Sequence, residues 1–521
     1  MTTTASNTAH LGSRTQKLVL LFVVFLIAAC GLVYELALIS LGSFLIGSSI
    51  QQTSIVLAVL VFAMGIGSLL AKPLLTRPVT SFAFIEAAIG LVGGLSVFAL
   101  YGAFAWLKLY SPALIFISLL LGLLIGCELP LMMVLLQQIR SQKAGDASSE
   151  LLAADYVGAL IGGLAFPFLL LPTFGQLQGA LLVGALNVVA AAACIGSIFR
   201  HQLRKKTKTI IFLMFAAVLA ILGFVAITSA SFEVQARQKL FRDPIIHESQ
   251  TQYQQIVMTE SFRFGKRQDV RLYLNGDLQF SSFDEYRYHE ALVHPALAKS
   301  RSNVLILGGG DGLAAREVLK YDDVDQVTLV ELDPAITDLA RTDTRLSTFN
   351  NKAFEDNRMK VINTDAFLWL RENTTKYDAI IIDMPDADDI ETAKLYSVEF
   401  YTLVRNSLVD EGLITVQSGS PFFAPEAFWS IDAGITEAGF TTLPYHVNVP
   451  SFGDWGFVLA TVGSNPEPAI QTKNVPTSFF TQEVFDSATV FSPDLTSHEV
   501  RPSTMLDPVI IQYTSRGWQG E

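Results

Sequence analysis

Two hydrophobic rhythms divide this chain. Up to about residue 230 the apolar residues run in long unbroken stretches; from about 302 they form short runs that alternate with segments of helical period. The long stretches cover 18–41, 54–71, 82–106, 112–137, 153–172, 178–199 and 209–230. A helix needs about twenty apolar residues to cross a bilayer, so the pattern predicts a membrane domain of seven helices over 1–230, with lipid as its partner. The first stretch has a basic flank, Arg14 and Lys17, but outruns a signal-peptide core and lacks a clear cleavage site. It is expected to remain as a helix. Gly90 and Gly94, and likewise Gly158 and Gly162, stand four residues apart and would let helices approach closely.

The second rhythm is that of a parallel sheet with crossover helices. Strands are expected at 302–307, 326–331, 359–362, 378–383, 412–417, 440–447 and 455–460, and helices near 312–320, 334–342, 365–373, 396–408 and 424–438. Ahead of them, Gln255-Ile-Val-Met258 and Val270-Arg-Leu-Tyr-Leu274, followed by the turn pair Asn275-Gly276, predict a small β subdomain. That subdomain and a connecting helix at 284–298 fill 250–300, an α/β domain fills 301–465, and the tail 466–521 is rich in Pro, Ser and Thr with little periodicity.

Charge separates the same two halves. The chain is 51% hydrophobic and only 16% charged, too apolar for a wholly soluble protein. Residues 1–230 hold 12 Lys+Arg and 6 Asp+Glu, a net of +6; the remainder holds 24 and 42, a net of −18. The acidic half argues against nucleic acid and suits a cationic small substrate. Arg14, Lys17, Lys72, Arg77, Arg140, Lys143, Arg200, Arg204, Lys205, Lys206 and Lys208 fall on one side of a seven-span arrangement, and Lys108 opposite. The positive-inside rule then sets the amino terminus in the cytoplasm and the acidic half outside. Cys30, Cys127 and Cys194 lie within apolar runs and read as core residues; no metal site is expected. Glu35, Glu86, Glu128 and Asp155 lie in or beside the apolar stretches, where an acid is expensive and either pairs with a neighbouring helix or marks a cation path.

The richest chemistry is at Val304-Leu-Ile-Leu-Gly-Gly-Gly-Asp-Gly312, with Val330-Glu331-Leu-Asp333 about twenty residues on. Gly308 and Gly310 allow the backbone to approach a nucleotide-like ligand, and Glu331 is placed for its ribose. Asp311, Glu331, Asp365 and Asp383 all stand at predicted strand ends, so four carboxylates should meet in one cleft. Helix capping explains Asp365 alone, not all four.

These residues resemble the aminopropyltransferase family, the spermidine synthases, over about 250–460. The matched elements are Tyr253-Gln254, Leu274-Asn-Gly276, Asp284-Glu-Tyr-Arg-Tyr-His-Glu290, Gly308-Gly-Gly-Asp-Gly312, Glu331, Asp365, Asp383-Met-Pro-Asp386, Leu395-Tyr396 and Gln417. The resemblance implies a multi-span α-helical membrane bundle fused to an α/β Rossmann-like methyltransferase-type domain preceded by the small β subdomain. It implies aminopropyl transfer from decarboxylated S-adenosylmethionine, a co-substrate rather than a resident cofactor, to a diamine, putrescine giving spermidine. On that analogy Asp311 binds the donor amine, Glu331 its ribose, Asp365 its adenine edge and Gln254 its aminopropyl end. Asp383 is the base with Tyr253 in support, Asp386 holds the far amine, and Tyr288, His289 and Gln417 line the substrate site. A homo-oligomer would fit the family.

The chain departs from the family twice. Asp386-Ala-Asp-Asp-Ile-Glu391 replaces a Pro-x-Gly-Pro turn, and Phe452 stands where a tyrosine is usual. Both lie on the acceptor side and leave acceptor identity open. The rival expectations are a polyamine N-methyltransferase that uses S-adenosylmethionine, and a polyamine transporter or sensor with a non-catalytic soluble half. The donor is a cytosolic metabolite, which places the soluble half in the cytoplasm, against the charge count.

Overall fold

The computed structural model describes residues 13–46, 50–139, 144–261, 268–463, 465–466, 468–470, 475–496 and 499–518. The chain divides into two compact units, Met1–Arg242 and Asp243–Glu521.

The first unit is helical: α1 (Ser13–Ile46), α2 (Ile50–Leu70), α3 (Pro78–Gly102), α4 (Tyr110–Ile139), α5 (Ala144–Ala165), α6 (Leu171–Cys194) and α7 (Lys205–Gln238). Among the described residues, six stretches are long and apolar enough to cross a bilayer. One of them, Ser148–Phe199, runs 52 residues; laid straight it would measure roughly 78 Å, against about 30 Å of hydrocarbon. It is not one straight helix: the π-helical turn Phe166–Leu170 joins α5 to α6, and Gly175, whose φ of 70° no ordinary helix contains, kinks α6 near its start. The glycines seen in the sequence lie where backbones meet. A Cβ on Gly184 of α6 would stand 2.5 Å from the Gly90 carbonyl and 2.9 Å from the Gly94 Cα of α3, and Gly158 and Gly162 of α5 sit against the carbonyls of Phe25 and Ala29 in α1.

In the second unit, β1 (Ile245–Gln250), β2 (Gln255–Glu260), β3 (Val270–Leu274) and β4 (Asp277–Ser281) form an antiparallel sheet in that order. Asn275 and Gly276 both take left-handed angles, φ 52° and 97°, the requirement of a two-residue hairpin turn that follows the strand twist. The sequence reading missed β1, which has only two apolar residues, Ile245 and Ile246, and exists because β2 offers it a free backbone edge.

The larger sheet runs β10-β11-β9-β8-β5-β6-β7. Its strands are β5 (Asn303–Gly308), β6 (Gln326–Glu331), β7 (Met359–Asn363), β8 (Tyr377–Asp383), β9 (Leu408–Gln417), β10 (Thr441–Val449) and β11 (Gly453–Thr461). The five from β9 to β7 are parallel, while β11 and β10 return antiparallel. Helices on both faces bury β5 completely from Val304 to Leu307, which is why parallel strands read as unbroken apolar runs. The chain leaves β5 toward β6 on one side and returns to β8 on the other, so the crevice outside this pair is the switch point where such folds take ligands.

Helix α8 (Glu285–Val293) links the two sheets, and α9 (Leu313–Val318) and α10 (Pro334–Thr342) follow β5 and β6. The tail forms helices Gln482–Ala488 and Ile510–Trp518. Its lack of periodicity has a local cause: the buried Glu290 carboxylate accepts N–H bonds from Ser478, Phe479 and Phe480 at 2.7, 2.8 and 2.9 Å, so a side chain anchors it. His294 is structural, bonded to the Tyr321 hydroxyl and paired with Glu317. Replacing Glu290 with Ala strands three N–H groups at about 1–3 kcal/mol each. A fall in melting temperature on the order of 10 °C, with faster proteolysis near 476–480, is expected in a thermal melt and a limited digest.

Candidate active site

The site grows from the carboxyl edge of β5 and its two neighbours. Gly308 faces Asp383 across the β5–β8 ladder, and the Gly309 N–H donates to the Asp383 carbonyl at 3.1 Å. Gly308 has φ 82°, and a side chain there would strike that carbonyl. The turn therefore needs glycine for both angle and space. At Gly310 a Cβ would lie 2.7 Å from a carboxylate oxygen of Glu331, so the absence of a side chain brings the Gly310 backbone onto Glu331. Asp311 accepts the Leu313 N–H at 2.9 Å.

Asp311, Glu331 and Asp383 are thus gathered at the ends of three adjacent strands. Desolvation raises all three: Asp383 to about 6, Glu331 to about 7, and Asp311 above its ordinary value. Asp383 and Asp311 also repel one another. A cationic ligand would relieve that crowding.

Behind these acids lies a buried counterion chain. Arg316 grips Glu285 with two bonds of 2.9 and 2.8 Å, and Glu285 accepts from His289 Nδ1 at 3.0 Å. Burial opposes charge on the His289 ring, but the bond and charge of Glu285, with Asp311 and Asp383 beyond, hold it at about 9. His289 is therefore cationic at neutral pH, and its charge lowers both Asp311 and Asp383. It is 2% exposed: rather than lining the substrate site as expected, it sits behind it.

The hydroxyl that meets Asp383 belongs to Tyr288, which donates to Oδ1 at 2.6 Å. Tyr253, expected in that place, is exposed on the β1–β2 turn, its backbone N–H bonded to Thr251. Tyr253 and Tyr288 share residue type and candidacy in the sequence; only α8 crossing the crevice distinguishes them. Gln254 also has a partner inside the protein. It donates to Asp333 at 3.1 Å, and Thr251 donates to the same oxygen at 2.7 Å. Asp333, buried and capping α10 through the Ala335 N–H, clamps the small sheet beside Glu331. Its place two residues after Glu331 in the sequence does not by itself reveal this role.

Asp365 departs from the expected four-acid cleft. It caps the helix Ala366–Glu372 through the Leu368 N–H and forms an ion pair with Lys394 at 2.6 Å. Desolvation acts to raise it, yet the Lys394 bond and the N–H bonds leave it lowered. Three acids converge; the fourth stands beside them with its own cation.

The segment after β8 is pinned from below. The amide nitrogen of Gln417, the last residue of β9, lies 2.7 Å from the Met384 carbonyl, 2.6 Å from the Tyr396 hydroxyl and 3.1 Å from Asp386 Oδ1, three acceptors for its two N–H groups. Its own carbonyl accepts from Gly419. Gln417 is fully engaged within the protein, so it holds Asp386 and the turn rather than a substrate. Desolvation raises Asp386 to about 6 against the Gln417 bond. Of the extra acids, Asp389 caps the short helix Ile390–Ala393 through Thr392, whereas Asp388 lies within electrostatic reach of Asp386. Asp277, on the hairpin, feels both Asp388 and Asp386, a further acid beside this turn that sequence spacing did not reveal. Phe452 packs edge-on to Tyr288 at 5.9 Å, in a loop fastened by Asp284, which accepts the Ser451 N–H and hydroxyl at 2.6 and 2.9 Å.

A glycine turn at a sheet switch point, ringed by desolvated acids, defines a Rossmann-like transferase of methyltransferase type with a cleft for a cationic nucleoside. The chain belongs to the polyamine aminopropyltransferase family. Residues 285–474 match the spermine/spermidine synthase domain. Polyamine aminopropyltransferase 1 of Streptomyces coelicolor is 55% identical across 97% of this chain and 96% of its own. Polyamine aminopropyltransferase of Mycobacterium tuberculosis is 42% identical across 98% and 100%. A crystal structure of spermidine synthase in complex with the transition state analogue AdoDATO aligns with 48% of this chain and 85% of its own, at 27% identity and a TM-score of 0.44.

If Gln417 positions Asp386, then Gln417→Leu should raise KM for the acceptor amine on the order of tenfold, the scale of about 1.4 kcal/mol. The donor KM should stay unchanged. Steady-state kinetics with each substrate varied in turn check this, and an equal rise in both would mean general damage.

Proposed function

We propose that this chain transfers the aminopropyl group of decarboxylated S-adenosylmethionine to a diamine, with putrescine the acceptor and spermidine and methylthioadenosine the products. The observation that carries the reading is the convergence of Asp311, Glu331 and Asp383 at one sheet edge, with no lysine or arginine among the described residues bonded to them. A donor lacking its carboxylate presents a sulfonium and an ammonium, and both suit this edge; a donor keeping its carboxylate would be repelled by Asp311.

Asp311 takes the donor ammonium and Glu331 the ribose hydroxyls. Asp365 reaches the adenine edge by exchanging its Lys394 partner, and Gln254 and Tyr253 close over the aminopropyl arm from the hairpin turn. Asp386, supported by Asp388 and Asp277, holds the distal ammonium of the acceptor. The near amine arrives protonated, since a free alkylamine has a pKa of ~10, and cannot attack until it gives up a proton. Asp383 accepts it, oriented by the Tyr288 hydroxyl. The freed lone pair then forms the C–N bond to the carbon beside sulfur. The C–S bond breaks with its electron pair on sulfur, which leaves as a neutral thioether. Charge and atoms balance without a metal or redox partner, and most of the acceleration is positional.

Asp383 works only when ionised. Its pKa is raised to about 6, so kcat/KM should fall as pH drops through about 6 and level off above it. Tyr288→Phe removes a bond that lowers that pKa and should move the acid limb upward. Asp383→Asn should cut kcat by about 10²–10⁴. Product analysis with each donor separately checks the reading: methyl transfer from S-adenosylmethionine without aminopropyl transfer would overturn it.

We further propose that α1 to α7 cross a lipid bilayer and that the second unit faces the cytoplasm, where its nucleoside donor is made. Seven passes then set the amino terminus outside, against the arginine and lysine count of the connecting segments. A reporter fused at the carboxyl terminus decides between the two: fluorescence of a cytoplasm-restricted protein is expected, and alkaline phosphatase activity would reverse the orientation.

A further inference from the structure

The helical unit contains polar groups that aminopropyl transfer does not use. Glu86 of α3 is fully buried, and its only side-chain partner among the described residues is Asn187 of α6, which donates to Oε2 at 2.9 Å and to the Glu86 carbonyl at 3.2 Å. The close approach of α3 and α6 at Gly90, Gly94 and Gly184 forces this pairing, because Asn187 lies one turn beyond Gly184 and Glu86 one turn before Gly90. Three oxygens here have no hydrogen-bond partner among the described residues: Glu86 Oε1, Asn187 Oδ1 and the Tyr34 hydroxyl. All three residues are 0% exposed. Tyr34 of α1 presses its ring against Gly93 of α3 and lies within electrostatic reach of Glu86. Glu128 of α4 is buried in reach of the same group.

Unpaired polar groups in an apolar interior cost of order 1–3 kcal/mol each, so their concentration here calls for a partner. Protonating Glu86 supplies one donor, which can serve at most one of the remaining oxygens, the Asn187 Oδ1 or the Tyr34 hydroxyl. A metal ion fits poorly, since no group of three or more metal-binding side chains gathers among the described residues. A primary ammonium fits well: it carries three N–H donors and one positive charge. Those match three oxygen acceptors and one carboxylate, and the pair would be neutral in a low-dielectric bundle.

We propose that Glu86, Asn187 and Tyr34 form a second binding site, inside the helical unit, for the primary ammonium end of an alkylamine. The site is separate from the transfer cleft and does not depend on its chemistry. The test counts binding sites for radiolabelled putrescine on the full chain in detergent by equilibrium dialysis, beside aminopropyl transfer by the same preparation. Glu86→Gln should lower the number of saturable sites by one and leave kcat and both KM values for transfer within twofold. Tyr34→Phe, which removes a single hydroxyl, should weaken that same site at least fivefold and guards against misfolding of the first variant. Asp383→Asn should leave it intact. An unchanged count in Glu86→Gln with normal transfer, or unchanged affinity in Tyr34→Phe, overturns the proposal. Rubidium chloride that displaces the Glu86-dependent putrescine at equal concentration also overturns it, in favour of an alkali-cation site. A failure of aminopropyl transfer with the site count still falling by one would sink the catalytic reading alone.

Discussion

Repulsion between carboxylates is the constraint on which the second unit is built. Asp311, Glu331 and Asp383 are held together at the edge of β5, β6 and β8 because backbone geometry fixes their Cα positions, while the side chains disfavour each other's charge. The fold supports that arrangement from behind with one buried cation. His289 is kept charged by Glu285, and against the burial that would raise it Glu285 is lowered to about 2 by its bonds to His289 and to the bidentate Arg316. The acids are therefore biased but not neutralised, and a cationic ligand is the natural completion of the site. An apolar replacement of the Glu285–Arg316 pair could be as stable, but it would remove the field that keeps Asp383 near 6.

The same arrangement separates two kinds of work. Asp383 and Asp386 stand at the crevice, while Gln417, Tyr396, Asp333 and Glu285 use their hydrogen bonds on protein groups around it. Gln417 is the plainest case. Its amide nitrogen has three protein acceptors within reach for its two N–H groups, and its carbonyl accepts from Gly419. Precise placement of two amines about a sulfonium carbon requires such support, because an error of about an ångström costs on the order of a hundredfold.

The helical unit follows the opposite economy. Its interior is filled by aliphatic side chains and by glycine contacts that let α3 meet α6, α1 meet α5 and α2 meet α4 at backbone distance. Against that background a buried acid and amide with unused oxygens are conspicuous. Burial of this kind has a cost that only a partner or a purpose offsets.

Much of this was legible in the chain itself. Long apolar runs give the helices, because a helix satisfies its own backbone; Val304–Leu307 and the glycines after it give a parallel strand and its turn, because a side chain at Gly308 has no room. The carboxylates at strand ends follow from those two facts. What the sequence could not assign is which of two like residues reaches a point in space. Tyr288 rather than Tyr253 meets Asp383, Asp365 pairs with Lys394, Asp277 joins Asp386, and Asn187 finds Glu86 from 101 residues away. Periodicity is a local property of neighbouring residues, whereas these contacts are set by how distant elements cross, and only the packed tertiary structure decides that.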